Sequence, residues 1–483
     1  MSAPAGGQPN PVDTAIARLR DATRGTPYEG RLYLVGGILR DRALGLPLSG
    51  DLDLVLEGDA VALARFLYDR RVSRHFPVLY PRFGTAMLTL DVGGVECQVE
   101  LVTARAESYQ PDSRKPDVQP GSIQQDVLRR DFTINTLLEN LHTGELLDVT
   151  GSAQADLARR TLRTPVDPRV TFFDDPLRML RAVRFAARFE FEIEPATWTA
   201  IQAERARLQP PAIAWERIRE EFIKIVRLPA PRFVRGMELL LELGLLAQFL
   251  PEMLPMLGCA QGAWHRYDVW THTLVALAAL PDSSRVELRL ALLWHDIGKP
   301  ATRVETGDAK GVRFTGHAPL GAQMAREIMG RLKFSNDEIR DVALFVALHM
   351  RLGEYRSEWT DASVKRLIRE CGDCLDELFV LTRCDQSAID LPAENRNLLD
   401  QLRERIDLLN SSSNILRIAS PLDGNEIMAV LAEGPGPQLR DAKEFLVNEV
   451  IEGRLAEGDK TAARAMLLKW WAGRGDVPPL PSG

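Results

Sequence analysis

The stretch LYLVGGILRD at residues 32–41 decides how the N-terminal region of this chain folds. It has the pattern of a short buried strand, a two-glycine turn and the start of a helix. The stretch GDLDLVL at residues 50–56 has the pattern of a second strand. Glycine lets backbone N–H groups at a helix start come close to an anion. The pattern therefore predicts a phosphate-binding turn at Gly36 and Gly37, to which Arg40 adds a cation.

The second strand carries two acids that predict a metal site. Asp51 and Asp53 are two residues apart, so their side chains lie on the same face of the strand. Two carboxylates this close repel unless a cation lies between them, and Mg²⁺ prefers such oxygen ligands. Glu100, on a strand predicted over Val95–Thr103, is a candidate third carboxylate. The alternative is a set of exposed strand acids, but their position after the glycine turn favours nucleotidyl or phosphoryl transfer.

Length and composition limit the other possibilities. A chain of 483 residues predicts two to four domains. It has no apolar run long enough for a membrane span and no signal-peptide pattern, which predicts a cytoplasmic protein. We expect residues 1–27 to be a flexible leader containing a short helix. Five cysteines argue against a disulfide framework. The net charge of −7 means that any RNA must meet a local basic patch.

Arginines recur in two later motifs. In LRRDFTINT at residues 128–136, two adjacent guanidinium groups suit a triphosphate. In the stretch at residues 173–188, Asp175 is predicted to cap a helix whose first residue is a proline. The arginines of this helix fall on one stripe without acids at helical spacing, and a solvated basic face is the alternative to phosphate contacts. They are Arg178, Arg181, Arg184 and Arg188.

Together these motifs resemble those of the class II template-independent RNA nucleotidyltransferases, the family of bacterial CCA-adding enzymes and related poly(A) polymerases. The match rests on GGILRD at 36–41, the Asp-x-Asp pair, RRDFTIN at 129–135 and DDPLR at 174–178. The resemblance implies a multidomain protein. It consists of an α/β nucleotidyltransferase head with a mixed sheet and flanking helices (28–165), followed by an all-α neck and body for base selection and tRNA binding (166–258), an HD domain (259–392) and a helical tail (393–483).

The resemblance also assigns roles to residues. Asp51 and Asp53, with Glu100, are expected to form the catalytic Mg²⁺ site. Asp175 and Arg178 occupy the positions that read the incoming base, because an aspartate accepts from the amine shared by cytosine and adenine. The remaining nucleotide-binding candidates surround the triphosphate or the RNA end. They are Gly36, Gly37, Arg40, Arg130, Asp131, Arg181 and Arg184.

Two features favour addition of the whole CCA from CTP and ATP to tRNA. Residues 83–85, Phe-Gly-Thr, are similar to the CCA-adding members rather than to bacterial poly(A) polymerases. Residues 105–125 are predicted to be a long irregular loop, and this loop is shortened in relatives that add only the two cytidines. An enzyme that adds only the adenosine and a poly(A) polymerase are the alternatives.

The histidines form a second constellation. Five of the seven lie within 85 residues, and HDIGK at residues 295–299 is similar to the signature of the HD phosphohydrolase superfamily. That resemblance implies a second divalent metal of unknown identity, and an HD-type phosphohydrolase acting on RNA ends is the alternative function from another class. The ligand candidates are His272, His295, Asp296, Asp385, His317 and His349.

Overall fold

The computed structural model describes residues 10–48, 51–108, 117–262, 266–307, 311–412 and 415–473. They form two compact units. The first extends to Leu254 and includes Arg331–Lys333, and the second contains the rest of the chain from Pro255 onward. The division between units lies close to the predicted boundary after residue 258. The further division of each unit into two domains stays a prediction.

The first unit is built on one seven-stranded sheet with the strand order β3-β4-β5-β2-β1-β8-β9. Strands β2 and β5 are parallel and the other neighbours are antiparallel, so the predicted mixed sheet is confirmed. The strands of this unit are β1 (Leu32–Val35), β2 (Asp51–Leu56), β3 (Val78–Tyr80), β4 (Thr85–Val92), β5 (Val95–Thr103), β6 (Arg105–Ser108), β7 (Asp117–Pro120), β8 (Leu138–Asn140), β9 (Leu146–Leu147), β10 (Thr161–Leu162) and β11 (Glu192–Ile193).

The helices of the first unit flank this sheet and then continue as a helical region. They are α1 (Pro11–Thr23), α2 (Gly37–Ala43), α3 (Ala60–Asp69), α4 (Ile123–Leu128), α5 (Ala153–Arg159), α6 (Pro168–Asp174), α7 (Leu177–Phe189), α8 (Pro195–Glu204), α9 (Trp215–Val226), α10 (Ala230–Glu242) and α11 (Leu246–Phe249).

The sheet has one covered and one open face. Every second side chain of β4 and of the middle of β5 is buried, and helices α1 and α3 pack against these two strands. The side chains between them reach solvent on the other side, which we call the open face. Residues paired across neighbouring strands share a face, so Asp53, Glu100 and Met87 all belong to the open face.

The expectation of a flexible leader is wrong for the part that the structure describes. Helix α1 begins behind Asn10, whose side chain accepts the N–H of Val12. Its apolar stripe is buried, and Arg20 Nε donates to the carbonyl oxygen of Leu141 at 2.7 Å. The amphipathic spacing predicted the helix, but only the tertiary contacts show that it belongs to the head. Residues 1–9 lie outside the described residues.

The predicted irregular loop at residues 105–125 is also partly wrong. Strands β6 and β7 pair as an antiparallel hairpin, and Ser122 and Gln125 form a capping box that starts α4. Residues 109–116 lie outside the described residues. The pairing was not visible in the sequence because two four-residue strands leave almost no periodic signal.

The second unit is almost entirely helical. Its helices are α12 (Val269–Ala278), α13 (Val286–Trp294), α14 (Lys299–Thr302), α15 (His317–Arg331), α16 (Asn336–Leu348), α17 (Asp361–Cys371), α18 (Leu375–Ser387), α19 (Leu398–Ser412), α20 (Gly424–Leu431), α21 (Pro437–Ile451) and α22 (Lys460–Ala472). The short strands β12 (Val304–Glu305) and β13 (Val312–Arg313) form a small ladder. Among the described residues, no helix combines the length and apolar character that crossing a bilayer requires.

Candidate active site and metal centre

The three predicted carboxylates of the head meet on the open face. In the parallel ladder between β2 and β5, Asp53 pairs with Glu100 and Asp51 pairs with Gln98. Paired residues of neighbouring strands stand side by side on one face, about 5 Å apart. All three carboxylates reach solvent. The arrangement is an acidic surface that could hold a divalent ion while leaving room for a bulky ligand.

Gly36 lies directly against this acidic surface. Its φ of 77° is in a region that favours glycine, and a Cβ there would lie 3.4 Å from Asp53 Oδ2 and 3.7 Å from Arg130 Nη1. A side chain at this position would therefore occupy the space between the carboxylate and the guanidinium group. The turn keeps open a small space bounded by an acid, an arginine and the start of helix α2.

Asp126 holds Arg130 at the edge of this space. Its Nη2 donates to the buried carboxylate of Asp126 at 3.0 Å, and Arg129 donates to the same carboxylate. Within the described part of the chain, the buried Nε of Arg130 has no hydrogen-bond partner. An unpaired buried donor next to a carboxylate site fits an anionic ligand such as a phosphate. Asp126 was not singled out from the sequence, although it lies four residues before Arg130.

The carboxylates disfavour one another's ionisation. Solvent reaches Asp53 and Glu100, yet the surrounding protein replaces enough water to raise the pKa of both. Their negative neighbours add to this effect, Asp51 for Asp53 and Asp53 for Glu100, while the charge of Arg130 opposes it. A divalent cation among them would remove this conflict, which is the electrostatic basis for expecting Mg²⁺ here.

A buried polar network supports the site. Arg40 is only 6 % exposed and donates from Nη1 to Asn135 Oδ1 at 2.7 Å, while Asn135 donates to Asp131 at 3.0 Å. Asp131 also accepts from Arg181 Nε at 2.7 Å. Burial would raise the pKa of Asp131, but Arg181 and the hydrogen bonds to the carboxylate lower it to about 2. The network joins α2 of the glycine turn to helix α7.

This network changes how the predicted nucleotide contacts are understood. Arg40 also donates to Asp41, so its guanidinium group is committed to protein partners. Its positive charge still lowers the pKa of Asp53. Arg40 therefore influences the carboxylate site electrostatically, without offering an exposed N–H group to a ligand. Asp131 and Arg181 likewise hold each other. Direct nucleotide contacts by these residues remain predictions.

Part of the arginine stripe of α7 is engaged by the protein itself, so phosphate contacts by the stripe stay a prediction. Arg184 is buried and pairs with the buried Glu221 of α9, and it also lies over the ring of Phe185. Arg188 stacks on Phe189. The acids that balance the stripe come from other elements, so the absence of acids at helical spacing misled the sequence-based interpretation. Nothing in the sequence around Glu221 indicated that it pairs with Arg184.

The two predicted base-reading residues lie at the start of the same helix. Helix α7 begins at Leu177, two residues after Asp175, whose Oδ1 still accepts the N–H of Leu177 at 3.2 Å. Asp175 Oδ2 accepts from Arg217 of α9 at 3.0 Å. Arg178 Nη2 donates to the carbonyl oxygen of Arg129 at 2.6 Å, which ties it to the arginine pair. The geometry thus joins Arg178 to the arginine pair and Asp175 to Arg217, a neighbour that the sequence did not indicate.

The predicted histidine ligands converge in the second unit. His272 Nε2 lies 2.8 Å from Asp385 Oδ1 and 3.3 Å from His295 Nε2. His295 Nε2 lies 3.1 Å from Asp296 Oδ2. On the other side of Asp296, Oδ1 is 3.5 Å from His317 Nε2. These three histidines and His349 are all buried or nearly so. The fifth histidine of the 85-residue window, His265, lies outside the described residues.

The ring orientations direct the Nε2 atoms of these histidines toward the centre of the cluster. Three of them share one arrangement, in which Nδ1 lies 2.7–2.8 Å from the backbone carbonyl oxygen three residues earlier. An N–H at Nδ1 donates to that carbonyl and leaves Nε2 unprotonated in the neutral ring. The residues are His295, His317 and His349. Their Nε2 atoms therefore face one another as potential ligands.

Electrostatics around Asp296 favour a cation. Burial and the charge of His295 lower the pKa of His349 to about 4, which keeps that ring neutral. Burial alone would lower the pKa of His295, but Asp296 and Asp385 raise it to about 10. Lys299 Nζ lies 2.7 Å from Asp296 Oδ2 and donates to Gln261 at 2.6 Å. Asp296 and Asp385 thus stabilise the protonated form of His295, and Asp296 also lies against the ammonium group of Lys299.

Two sets of ligand atoms fit metal ions. Within each set the candidate atoms lie within 4.8 Å of one another. The sets are His272, His295 and Asp385, and Asp296, His317 and His349. Mixed histidine and carboxylate sets suit transition-metal ions, and Asp296, between the sets, could contact both. Among the described residues, no cysteine belongs to either set.

Comparison with known proteins agrees with this division of the chain. Family models match residues 32–163 as a poly(A) polymerase head domain, residues 190–257 as a probable RNA- and SrmB-binding site of polymerase A, and residues 265–407 as an HD domain. The fold and the carboxylate site therefore define a nucleotidyltransferase of the poly(A) polymerase head type that carries an HD domain.

Curated relatives narrow the class. A CC-adding tRNA nucleotidyltransferase of Thermus thermophilus is 36 % identical over 73 % of this chain and 79 % of its own length. An A-adding enzyme of Deinococcus radiodurans is 32 % identical over 73 % of this chain and 80 % of its own length. A multifunctional CCA protein of Halorhodospira halophila is 36 % identical over 65 % of this chain and 72 % of its own length. The chain belongs to the tRNA nucleotidyltransferase family.

Solved structures confirm the fold over nearly the whole chain. The CCA-adding enzyme of Bacillus stearothermophilus in complex with CTP has a TM-score of 0.64 at 22 % identity, covering 97 % of this chain and 99 % of that one. The Thermotoga maritima CCA-adding enzyme complexed with tRNA has a TM-score of 0.56 at 20 % identity, covering 96 % of each. At this level of identity the likeness establishes the arrangement of elements and not the role of any side chain.

Proposed function

We propose that this protein adds or repairs the 3′-terminal CCA of tRNA, using CTP and ATP without a nucleic-acid template. The observation that carries the proposal is the row formed by Asp53 and Glu100 beside Asp51, bounded by Gly36 and Arg130. The multifunctional CCA relatives and the named substrates of the solved structures support it. These substrates also favour the predicted cytoplasmic location.

The residues of the site would have three roles: binding the metal ion, binding the triphosphate and selecting the base. Asp51 and Asp53 would hold Mg²⁺, with Glu100 as the third carboxylate, and the ion would lower the pKa of the primer hydroxyl and offset charge on the α-phosphate. Arg130 would donate to the triphosphate from its unpaired Nε, and Gly36 would leave the space that the phosphates need. Asp175 would accept from the amine of cytosine or adenine, and Arg178 would donate to the neighbouring ring acceptor.

The number and kind of nucleotides added distinguish CCA addition from three related activities. The segment between β5 and α4 includes the β6–β7 hairpin and the residues between its strands, and its full length favours an enzyme that adds the terminal adenosine. Incubation with tRNA lacking one, two or three terminal nucleotides and labelled CTP or ATP tests this. Addition of cytidine to the shortest substrate and of adenosine to tRNA ending in CC supports CCA addition. Adenosine alone, cytidine alone, or long adenosine tracts on arbitrary RNA would replace it with an A-adding enzyme, a CC-adding enzyme or a poly(A) polymerase.

We propose metal-dependent phosphohydrolysis as a second activity, located in the HD domain. The observation that favours it is the convergence of Asp296 and five further candidate ligands in one cluster. The ions would activate water toward phosphomonoesters or 2′,3′-cyclic phosphates at RNA ends. Release of inorganic phosphate from 3′-phosphorylated RNA, or opening of a 2′,3′-cyclic phosphate to a terminal phosphomonoester, by the wild type but not by His295→Ala tests it. An equal rate in both would contradict it.

A further inference from the structure

The open face of the head continues beyond its carboxylates to the edge of the sheet. The registers of three ladders place one residue of each strand in a single row across β2, β5, β4 and β3. The row consists of Asp53, Glu100, Met87 and Val78. Because paired residues share a face, all four side chains stand on the same side of the sheet.

The outer part of this row is apolar and exposed. Val78 is 54 % exposed and Met87 37 %. Tyr80, two residues after Val78 and therefore on the same face, is 44 % exposed. We call these three residues the edge patch. Val78 and Tyr80 lie on the edge strand β3 and Met87 lies on β4 beside it. A group of exposed apolar side chains at a sheet edge is typical of an interaction site.

Cations border the edge patch. Arg82, two residues after Tyr80, is exposed, and its guanidinium carbon lies 6.0 Å from the ring centre of Phe83. Arg105 Nη1 donates to the carbonyl oxygen of Phe83 at 3.1 Å, and the charge of Arg105 lowers the pKa of Glu100. Arg105 therefore lies near both the segment that follows β3 and the carboxylate Glu100. Apolar groups flanked by arginines suit a chain of bases and phosphates.

We propose that the edge patch binds the unpaired 3′-terminal nucleotides of the RNA primer, behind the hydroxyl that reacts. This rests on the proposed function. Neighbouring strands are about 4.8 Å apart, so β4 lies about 10 Å and β3 about 14 Å from β2, which places the patch where the preceding nucleotides must pass. Bases of any sequence stack on aromatic and apolar side chains, which suits a surface that must accept a growing end.

The test is the Tyr80→Ala/Met87→Ala double variant, assayed for addition of one labelled nucleotide to tRNA ending in CC. We expect KM for the RNA to rise about 5- to 150-fold, the range that corresponds to losing a stacked base. KM for the nucleotide should stay within about twofold. Tyr80→Phe keeps the ring and should behave like the wild type.

Leu146→Ala is the matched control. Leu146 is 45 % exposed on β9, the opposite edge strand of the same sheet. We expect its KM for RNA to match the wild type. An equal rise in the control and the double variant, or no rise in the double variant, would overturn the proposal.

A crosslinking experiment replaces this test if the double variant fails to fold. Wild-type protein is crosslinked to RNA that carries a photoreactive base before the terminal nucleotide. Crosslinks that avoid Tyr80 and Met87 would overturn the proposal.

RNA lacking one base separates this inference from the proposed function. Removing the base that stacks on the patch should raise KM for the wild type but add little in the double variant, because the contact is already lost. Wild-type protein that adds no nucleotide to any tRNA refutes the proposed function. Wild-type addition together with additive effects of the base and the side chains refutes the edge patch alone. Unchanged KM together with loss of self-association in the double variant would assign the patch to a second copy instead.

Discussion

The two candidate metal sites of this chain differ in almost every physical respect. The carboxylates of the head are exposed, offer oxygen atoms alone and lie on an open sheet face. The HD centre is buried, combines imidazole nitrogens with carboxylates, and has ring orientations set by backbone carbonyls. An open oxygen site leaves coordination positions for substrate phosphates, whereas a closed nitrogen-rich site retains its ion. The head is therefore expected to take up its ion with the nucleotide, and the HD centre to keep its own.

The largest expected effect is a loss of nucleotide addition that leaves the metal content of the HD centre unchanged. Asp53→Asn should lower the rate of nucleotide addition by about 10³-fold or more, because the ion loses a charged ligand at the reacting centre. The metal content of the HD centre should not change. Single-turnover addition and elemental analysis of the same preparation measure both. Glu96→Gln, an exposed acid on the same strand as Glu100, is the control and should keep wild-type rates.

The buried network beneath the open site should be the rigid part of the head. Asp131→Asn is expected to reduce the free energy of unfolding by about 2–3 kcal/mol at neutral pH, below the value of about 3–5 kcal/mol for a fully buried pair because Arg181 is partly exposed. Asp13→Asn, which breaks an exposed pair with Arg42, should cost under about 0.5 kcal/mol. Denaturant unfolding monitored in both variants checks this.

The pH dependence of that loss has a definite sign. The folded pKa of Asp131, about 2, lies below its unfolded value of about 4, so its ionisation stabilises the fold above pH 4. The difference between wild type and Asp131→Asn should shrink as the pH falls from 4 toward 2. A difference that stays constant over this range would show that the carboxylate is not the source of the stability.

The HD centre should respond to loss of a single ligand. His349→Ala is expected to weaken metal binding by at least about 100-fold, since even outer contacts of metal ligands contribute 10- to 100-fold. Nucleotide addition should stay within about twofold. Equilibrium dialysis against Mn²⁺ or Co²⁺ measures the binding, with the exposed His75→Ala as control. Unchanged binding in His349→Ala would remove His349 from the centre.

The smallest expected effect concerns the hydrogen bond between Lys299 and Gln261. Gln261→Ala removes the acceptor of the buried ammonium group beside Asp296, and we expect metal affinity to fall about tenfold. The same dialysis measures it, and Gln323→Ala on the surface of α15 is the matched control. Affinity equal to the wild type would show that Lys299 keeps its position without Gln261.

Sequence reasoning was strongest where one element carries its own signal. The bounds predicted for the strand Val95–Thr103 match β5, and the alternation on β2 placed Asp51 and Asp53 on one face. The HD ligands followed from a motif and from histidine spacing, and the structure brings all six together. Short-range periodicity and motif order are enough for such features.

Contacts between distant segments were what the sequence could not show. The arginines of α7 seemed unbalanced because Glu221 and Asp131 come from elements far along the chain. The β6–β7 hairpin and the docking of α1 likewise depend on pairing and burial that leave no local pattern. Asn135 was inside a quoted motif, yet only its hydrogen bonds to Arg40 and Asp131 reveal its part in the site.

Gly298, within the HDIGK motif, fixes the spacing of the HD centre through backbone contact alone. A Cβ there would collide with the carbonyl oxygen of His317 and come within 2.9 Å of the amide nitrogen of Gly321. The helix that begins at His317 can therefore approach the motif only if this position lacks a side chain. A single added methyl group would push the start of that helix away from the motif, so the distance between the two sets of candidate ligands depends on a residue that offers no ligand atom of its own.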